Sequence, residues 1–231
     1  MKQKKSIGII GGMGPQASVY MYKLLIDMAQ KEFSAKNNDD FPEIILHSVP
    51  VPDFISDKHN KDKALGMLKD SVKKLNSINV SFLAIACNTV HILLPELKKN
   101  SKVSLISIID EVVENIMQSK IRKIGILGTP STINSKLYQV VLNKYKIESV
   151  IPNSKQQGVL DKIIRNVLAG QINKKNIKQL ISIADSLILQ GANGIVLGCT
   201  ELPLIFPSKY SVSVFNSIEI LSMALLRKYY E

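Results

Sequence analysis

The sequence predicts an α/β protein of two similar, pseudo-symmetric domains. Each is a mainly parallel sheet flanked by helices, and the active site is expected in the interdomain cleft. Three observations lead there. Short continuous apolar runs alternate with stretches of helical apolar spacing, as in parallel sheets buried on both faces. A strand followed by a small-residue turn occurs twice, as Ser6-Ile7-Gly8-Ile9-Ile10-Gly11-Gly12-Met13-Gly14-Pro15 and as Lys123-Ile124-Gly125-Ile126-Leu127-Gly128-Thr129-Pro130. Each copy is then followed by an apolar run ending in a cysteine, Cys87-Asn88-Thr89-Val90-His91 in the first and Cys199-Thr200-Glu201-Leu202-Pro203 in the second. The intervals match as well: Gly8 to Cys87 is 79 positions and Gly125 to Cys199 is 74. The duplication sets a first domain at residues 1–112, rejoined by the C-terminal segment 208–231, and a second at 113–207.

In the first domain, Ile7 to Ile10 reads as a strand and Gly11 to Pro15 as a tight turn. Ala17 to Phe33 has helical spacing. The glycine spacing differs from the GxGxxG dinucleotide fingerprint, and no acidic residue closes a well-placed next strand, so a nucleotide site is not expected. Ser34 to Phe41 is a polar loop. Glu43 to Val49 is a strand that Pro50 and Pro52 end, because proline cannot continue a central ladder. A loop from Phe54 to Lys61 precedes a helix at Ala64–Asn76, a strand at Val80–Ala86 and a helix at Ile92–Lys99 with Pro95 in its first turn. A strand at Val103–Ile106 and a helix at Asp110–Gln118 lead into the second half.

There Ile124 to Leu127 is a strand. Thr129-Pro130-Ser131-Thr132 has the composition of a helix cap and predicts a helix from about Asn134 to Tyr145. A short strand falls at Val150. Helices follow at Leu160–Ala169, closed by Gly170, and at Lys174–Leu189, closed by Gly191. Ile195 to Leu197 is the strand before Cys199, Val212 to Phe215 another strand, and Ser217 to Tyr230 the last helix.

Composition narrows the function. Thirty Lys and Arg against 19 Asp and Glu give a net charge of +11. The lysines are scattered over helix ends and turns, with no basic stripe and no interleaved aromatics. They predict a solvated surface that draws small anions, not a nucleic-acid partner. No run approaches the roughly 20 apolar residues of a membrane span. Two cysteines are no disulfide framework, and no signal-peptide pattern opens the chain; free thiols in a cytoplasmic protein are expected. Three histidines and the lack of any CxxC spacing argue against a metal site. A lone free cysteine is most often a small buried hydrophobe. Two in repeated settings, each at the carboxyl end of a strand where open α/β sheets place ligands, read differently. Thiols on opposite walls of one cleft suit chemistry at both faces of one carbon.

Taken together, the segments Ile7–Pro15, Cys87–His91 and Gly198–Glu201 resemble the aspartate/glutamate racemase family, in its aspartate racemase-like branch, over essentially the whole chain. The resemblance implies a cofactor-independent amino-acid racemase that needs neither pyridoxal phosphate nor metal and forms a homodimer. Aspartate or glutamate is the leading substrate. It implies Cys87 and Cys199 as the two catalytic residues. One thiolate would remove the α-proton from one face and the other thiol would protonate the opposite face. One sulfur must then ionise, which a helix N-terminus after each cysteine would favour. Asn88, Thr89 and Thr200 match residues that hold the substrate's carboxylate and ammonium groups; helix capping is the competing reading for each. Met13, Asp53, Thr129 and Thr132 are further candidate substrate contacts. His91 either tunes Cys87 or is a surface histidine in a first turn. Glu201 either orients a group near Cys199 or is an exposed first-turn glutamate.

Two positions depart from the family. Aspartate racemases usually carry an arginine after the Pro-Asp matching Pro52-Asp53, where this chain has Phe54. They usually carry a lysine before the Ala-Gly matching Ala169-Gly170, where this chain has Leu168. Both cations would bind a distal carboxylate. Arg165 or Lys58 is the candidate replacement; otherwise a less acidic substrate is implied. Two other classes share these features. One is a related two-cysteine isomerase such as a hydantoin racemase, and the other a non-catalytic amino-acid-binding homologue.

Overall fold

The computed structural model describes residues 5–52 and 60–231. Asp53, Phe54 and Lys58 lie outside the described residues. The chain divides into two units, Met1–Ile108 with Ile218–Glu231, and Ile109–Ser217.

The first unit carries β1 (Ser6–Gly11), α1 (Pro15–Glu32), β2 (Glu43–Ser48), α2 (Lys61–Ser77), β3 (Phe82–Ile85), α3 (Leu94–Lys98) and β4 (Ser104–Ile106). Its strands are all parallel, in the order β2-β1-β3-β4. Every residue of β1 and β3 is buried, which is why both read as unbroken apolar or small-residue runs. α4 (Ile108–Gln118) leads out of this unit. The second unit carries β5 (Lys123–Gly128), α5 (Pro130–Asn134), α6 (Leu137–Lys144), β6 (Glu148–Val150), α7 (Ser154–Leu168), α8 (Lys174–Leu189), β7 (Gly194–Gly198) and β8 (Ser213–Asn216). Its order, β6-β5-β7-β8, repeats the first and is again parallel throughout. In each sheet the two central strands are the predicted pair: the strand before the small-residue turn and the strand before the cysteine.

α9 (Ser217–Tyr230) returns the chain to the first unit, where the Tyr230 ring stacks on Phe33 at 4.6 Å and its hydroxyl donates to Asp40 O at 2.7 Å. The return comes later than the expected position 208. β8 pairs with β7 from Gly194↔Ser213 to Leu197↔Asn216, so residues 213–216 stay with the second sheet. The outgoing boundary lies at 108, inside the first turn of α4, and not at 112.

Other differences have local causes. The helix expected from Asn134 is two helices, because Lys136 takes the left-handed conformation (φ 52°) between them. Thr129 caps the first, accepting from Thr132 N at 3.1 Å, with Pro130 in its first turn. α7 starts six residues before the expected Leu160. Asn153 and Gln156 form a capping box that nucleates a polar first turn without apolar periodicity. From Leu160 onward the helical spacing holds, and Leu160, Ile163, Ile164 and Val167 pack with Leu180, Ile183, Ala184 and Leu187 of α8. Each such buried Leu, Ile or Val side chain contributes roughly 1.5–3 kcal/mol. Among the described residues, no helix is long and apolar enough to cross a membrane.

Candidate active site

The candidate residues of the first unit lie at the carboxyl ends of β1 and β3, which Ala86 N ties together by donating to Ile10 O at 2.9 Å. After β1 the chain turns through Gly12 at φ +93°. A Cβ there would stand 2.5 Å from Val49 O, so only glycine fits. The turn's amide is already committed: Gly12 N donates to Ser18 Oγ at 2.9 Å. Ser18 stands one turn into α1 and carries no sequence signal for that role. Met13 is half-buried against the apolar cluster that holds Cys87, Ile85, Val90 and Leu93.

Cys87 is a buried thiol outside any disulfide, just past β3. Asn88 and Thr89 beside it are buried. The helix expected here begins as a 3₁₀ segment, Thr89–Leu93, that leads into α3, and the Asn88 side chain makes no cap hydrogen bond. The capping reading of Asn88 is therefore not realised. A short 3₁₀ segment also offers a thiolate a smaller dipole than a full α-helix would. His91 is 4 % exposed, not a surface histidine. Its Nε2 lies 3.1 Å from Ile108 N and its Nδ1 2.8 Å from Cys87 O. Ile108 N can only donate and Cys87 O can only accept. The ring is thus assigned as the neutral tautomer with its proton on Nδ1. His91 ties the cysteine turn to the start of α4.

The candidate residues of the second unit lie at the matching ends of β5 and β7, where Gly128 and Gly198 are register partners. Thr129 Oγ1 donates to Thr132 Oγ1 at 3.0 Å, and both residues are buried. Cys199 is the second buried thiol outside any disulfide. A 3₁₀ turn, Leu202–Leu204, again stands where a helix was expected. Glu201 is 3 % exposed, so the exposed-glutamate reading fails. Its Oε2 accepts from Cys199 Sγ at 3.0 Å and from Thr200 Oγ1 at 3.2 Å. Leu168 is half-buried against the apolar cluster that includes Cys199.

Behind Cys199 stands a residue no motif pointed to. Tyr138 of α6 is fully buried, and that burial drives its ionisation far above the ordinary tyrosine range; its hydroxyl is hydrogen-bonded with Ser217. It stays a neutral phenol. Its partner Ser217 donates to Leu197 O at 2.7 Å. Among the described residues, no three His, Cys, Asp or Glu side chains are grouped to hold a metal ion.

Each unit thus presents one buried thiol at the carboxyl end of a central parallel strand, bordered by buried threonines. The chain is similar to known proteins along most of its length. The Asp/Glu/Hydantoin racemase family model matches residues 10–224. The broad specificity amino-acid racemase RacX of Bacillus subtilis (strain 168) is 31% identical over 200 residues, covering 85% of each chain. The crystal structure of an aspartate racemase homologue from Pyrococcus horikoshii OT3 superposes with a TM-score of 0.82 at 32% identity, covering 99% of this chain and 100% of that one. Picrophilus torridus aspartate racemase superposes with a TM-score of 0.85 at 28% identity, covering 98% and 94%.

Proposed function

The chain belongs to the Asp/Glu/Hydantoin racemase family and is an amino-acid racemase; we propose that it interconverts L and D enantiomers by two-base proton transfer between Cys87 and Cys199. The observation that carries this reading is the equivalence of the two thiols. Each follows the third strand of a sheet with the same order, next to the strand that ends in the small-residue turn.

In this mechanism one cysteine, as thiolate, takes the α-proton and becomes a thiol. The electron pair left on the α-carbon is held as a carbanion conjugated with the substrate carboxylate. The other cysteine, as thiol, delivers its proton to the opposite face and becomes the thiolate. Protons and charge balance within the pair, and the reverse reaction exchanges the roles. Acid and base must both be positioned groups, since a single base returns the proton to the face it left. Asn88, Thr89, Thr129, Thr132 and Thr200 would hold the substrate's carboxylate and ammonium. Thr200 spends its proton on Glu201, so its oxygen suits an ammonium donor.

The two thiols begin differently. Cys199 donates to the Glu201 carboxylate, which keeps the proton on sulfur. Cys199 is therefore the resting acid and Cys87 the resting base.

The substrate is proposed to extend beyond aspartate and glutamate. Leu168 presents an apolar side chain where a cation would hold a distal carboxylate, and RacX, similar along most of the chain, is a broad specificity enzyme. The deciding experiment follows the α-proton of L- and D-amino acids by NMR in deuterated buffer, together with optical rotation. Exchange with racemisation supports the reading. Exchange of neither enantiomer of any amino acid tested rejects it.

A further inference from the structure

β7 ends at Gly198, and the two residues before Cys199 are held by side chains from other elements of the same unit. Leu197 O accepts the Ser217 hydroxyl at 2.7 Å, and Ser217 is fully buried. That bond commits the only proton Ser217 has. Tyr138 is hydrogen-bonded to the same hydroxyl; with the Ser217 proton on Leu197 O, the phenol donates and Ser217 Oγ accepts. The chain of bonds runs one way, from Tyr138 through Ser217 to Leu197 O. The Tyr138 ring also occupies the space beside Gly198: a Cβ added there would stand 3.0 Å from Cε2. One rigid aromatic side chain therefore grips Gly198 with its edge and Leu197 through its hydroxyl. Phenylalanine would serve if packing were all that was needed. The polar chain instead ends on the carbonyl two residues before the sulfur.

We propose that Tyr138, acting through Ser217, is a positioning residue for Cys199, fixing the Leu197–Cys199 turn so that the thiol is presented in one orientation. This rests on Cys199 being a reacting thiol, as proposed above. It adds a requirement that neither cysteine motif carries: the turn is clamped from α6 and from the start of α9. Cys87 has a different device, the His91 ring on its own carbonyl.

The test uses the full chain with Tyr138→Phe, which keeps the ring on Gly198, and Ser217→Ala, which removes the relay with little change in volume. Iodoacetamide labelling, resolved by peptide mass spectrometry, reads Cys199 against Cys87 as an internal reference. Alongside it, kcat and KM are measured for an amino acid that the unmodified enzyme racemises. Both variants are expected to label Cys199 about tenfold faster, the ratio that one lost hydrogen bond sets, with Cys87 unchanged. A fall in kcat of similar size with KM within about twofold is expected beside it. Cys199 labelling that is unchanged or slower relative to Cys87 in both variants overturns the proposal. So does an equal rise at both cysteines with a lowered melting temperature, which marks general loosening. Should the unmodified chain exchange no α-proton, the racemisation reading falls, while the labelling ratio still decides whether Tyr138 positions Cys199.

Discussion

Cys199 Sγ lies 3.0 Å from Glu201 Oε2, and the thiol donates to the carboxylate. Both groups are buried, so water screens the contact little. A negative acceptor favours the protonated sulfur, and a hydrogen bond to a charged group contributes roughly 1.5–3 kcal/mol. Glu201→Gln keeps the shape and removes the charge. It is expected to speed iodoacetamide labelling of Cys199 by about tenfold or more at neutral pH, since about 1.4 kcal/mol is a factor of ten. Labelling rates indistinguishable from those of the unmodified protein would show that the carboxylate does not hold the thiol's proton.

The cysteines themselves give the sharpest outcome. Cys87→Ala and Cys199→Ala should each lower racemisation by about 10²–10⁴-fold, the range of one general acid or base. Each single variant should still exchange the α-proton of one enantiomer, and the enantiomer should differ between the two. Proton NMR in deuterated buffer reads both quantities. Full racemisation by either variant would reject the two-base mechanism.

Most of the architecture was legible because parallel strands buried on both faces leave a local signature. β1, β3, β5 and β7 each read as an apolar or small-residue run of four to six residues, and α8 and α9 fall on their expected bounds. What stayed hidden depends on partners far along the chain. Ser217 reads as an ordinary helix start until Leu197 O is placed beside it, 20 positions away. His91 could be surface or buried until Ile108 N is found on its ring. Glu201 has one composition for two outcomes, an exposed first-turn carboxylate or a buried acceptor. Only the path of the turn after β7 decides between them. The break at Lys136 left no trace either, because a left-handed lysine in a helical pattern looks like any other lysine.

His91 offers a test of stability. Its ring accepts from Ile108 N and donates to Cys87 O, both in a buried setting. His91→Leu fills a similar volume but makes neither bond. Leaving a buried polar group without its partner costs about 1–3 kcal/mol, and this variant leaves two, so urea denaturation should show a loss of about 2–6 kcal/mol. His91→Gln, which retains one donor and one acceptor, should recover part of it. A His91→Leu protein as stable as the parent would mean that these bonds are not structural.

His47 gives a pH dependence with a definite sign. Its Nδ1 lies 2.7 Å from Ser71 Oγ, and burial, with the nearby Lys74 charge, holds the imidazole below the usual histidine range. The folded value is thus lower than the unfolded one. As pH falls, the unfolded chain takes up this proton first. The stability that His47 supports is full above the ordinary histidine value of about 6.5 and is lost as pH falls through it towards the folded value. Imidazole proton NMR should give a midpoint for His47 below that of a free histidine. His47→Gln should flatten part of the stability loss between about pH 7 and 5. A midpoint at or above the free value contradicts this account.

We propose that specificity is where the chain parts from the aspartate racemases it resembles. Leu168 is half-buried against the cluster that includes Cys199, and the only cation on the neighbouring turn of α7, Arg165, bonds Asp161 Oδ2 through Nε at 3.1 Å. Arg165 is thus partly engaged already, which weakens it as a substitute for the missing lysine. Two charge-assisted hydrogen bonds to a distal carboxylate contribute roughly 1.5–3 kcal/mol each. Without them, selectivity for aspartate over uncharged amino acids should drop by one to several orders of magnitude. Racemisation of aspartate, glutamate, asparagine, alanine and methionine should therefore spread across the panel. Leu168→Lys should shift it towards aspartate by about tenfold or more if the distal carboxylate reaches that position. Strict aspartate specificity in the parent, unaffected by Arg165→Ala, would show that another group binds the distal carboxylate.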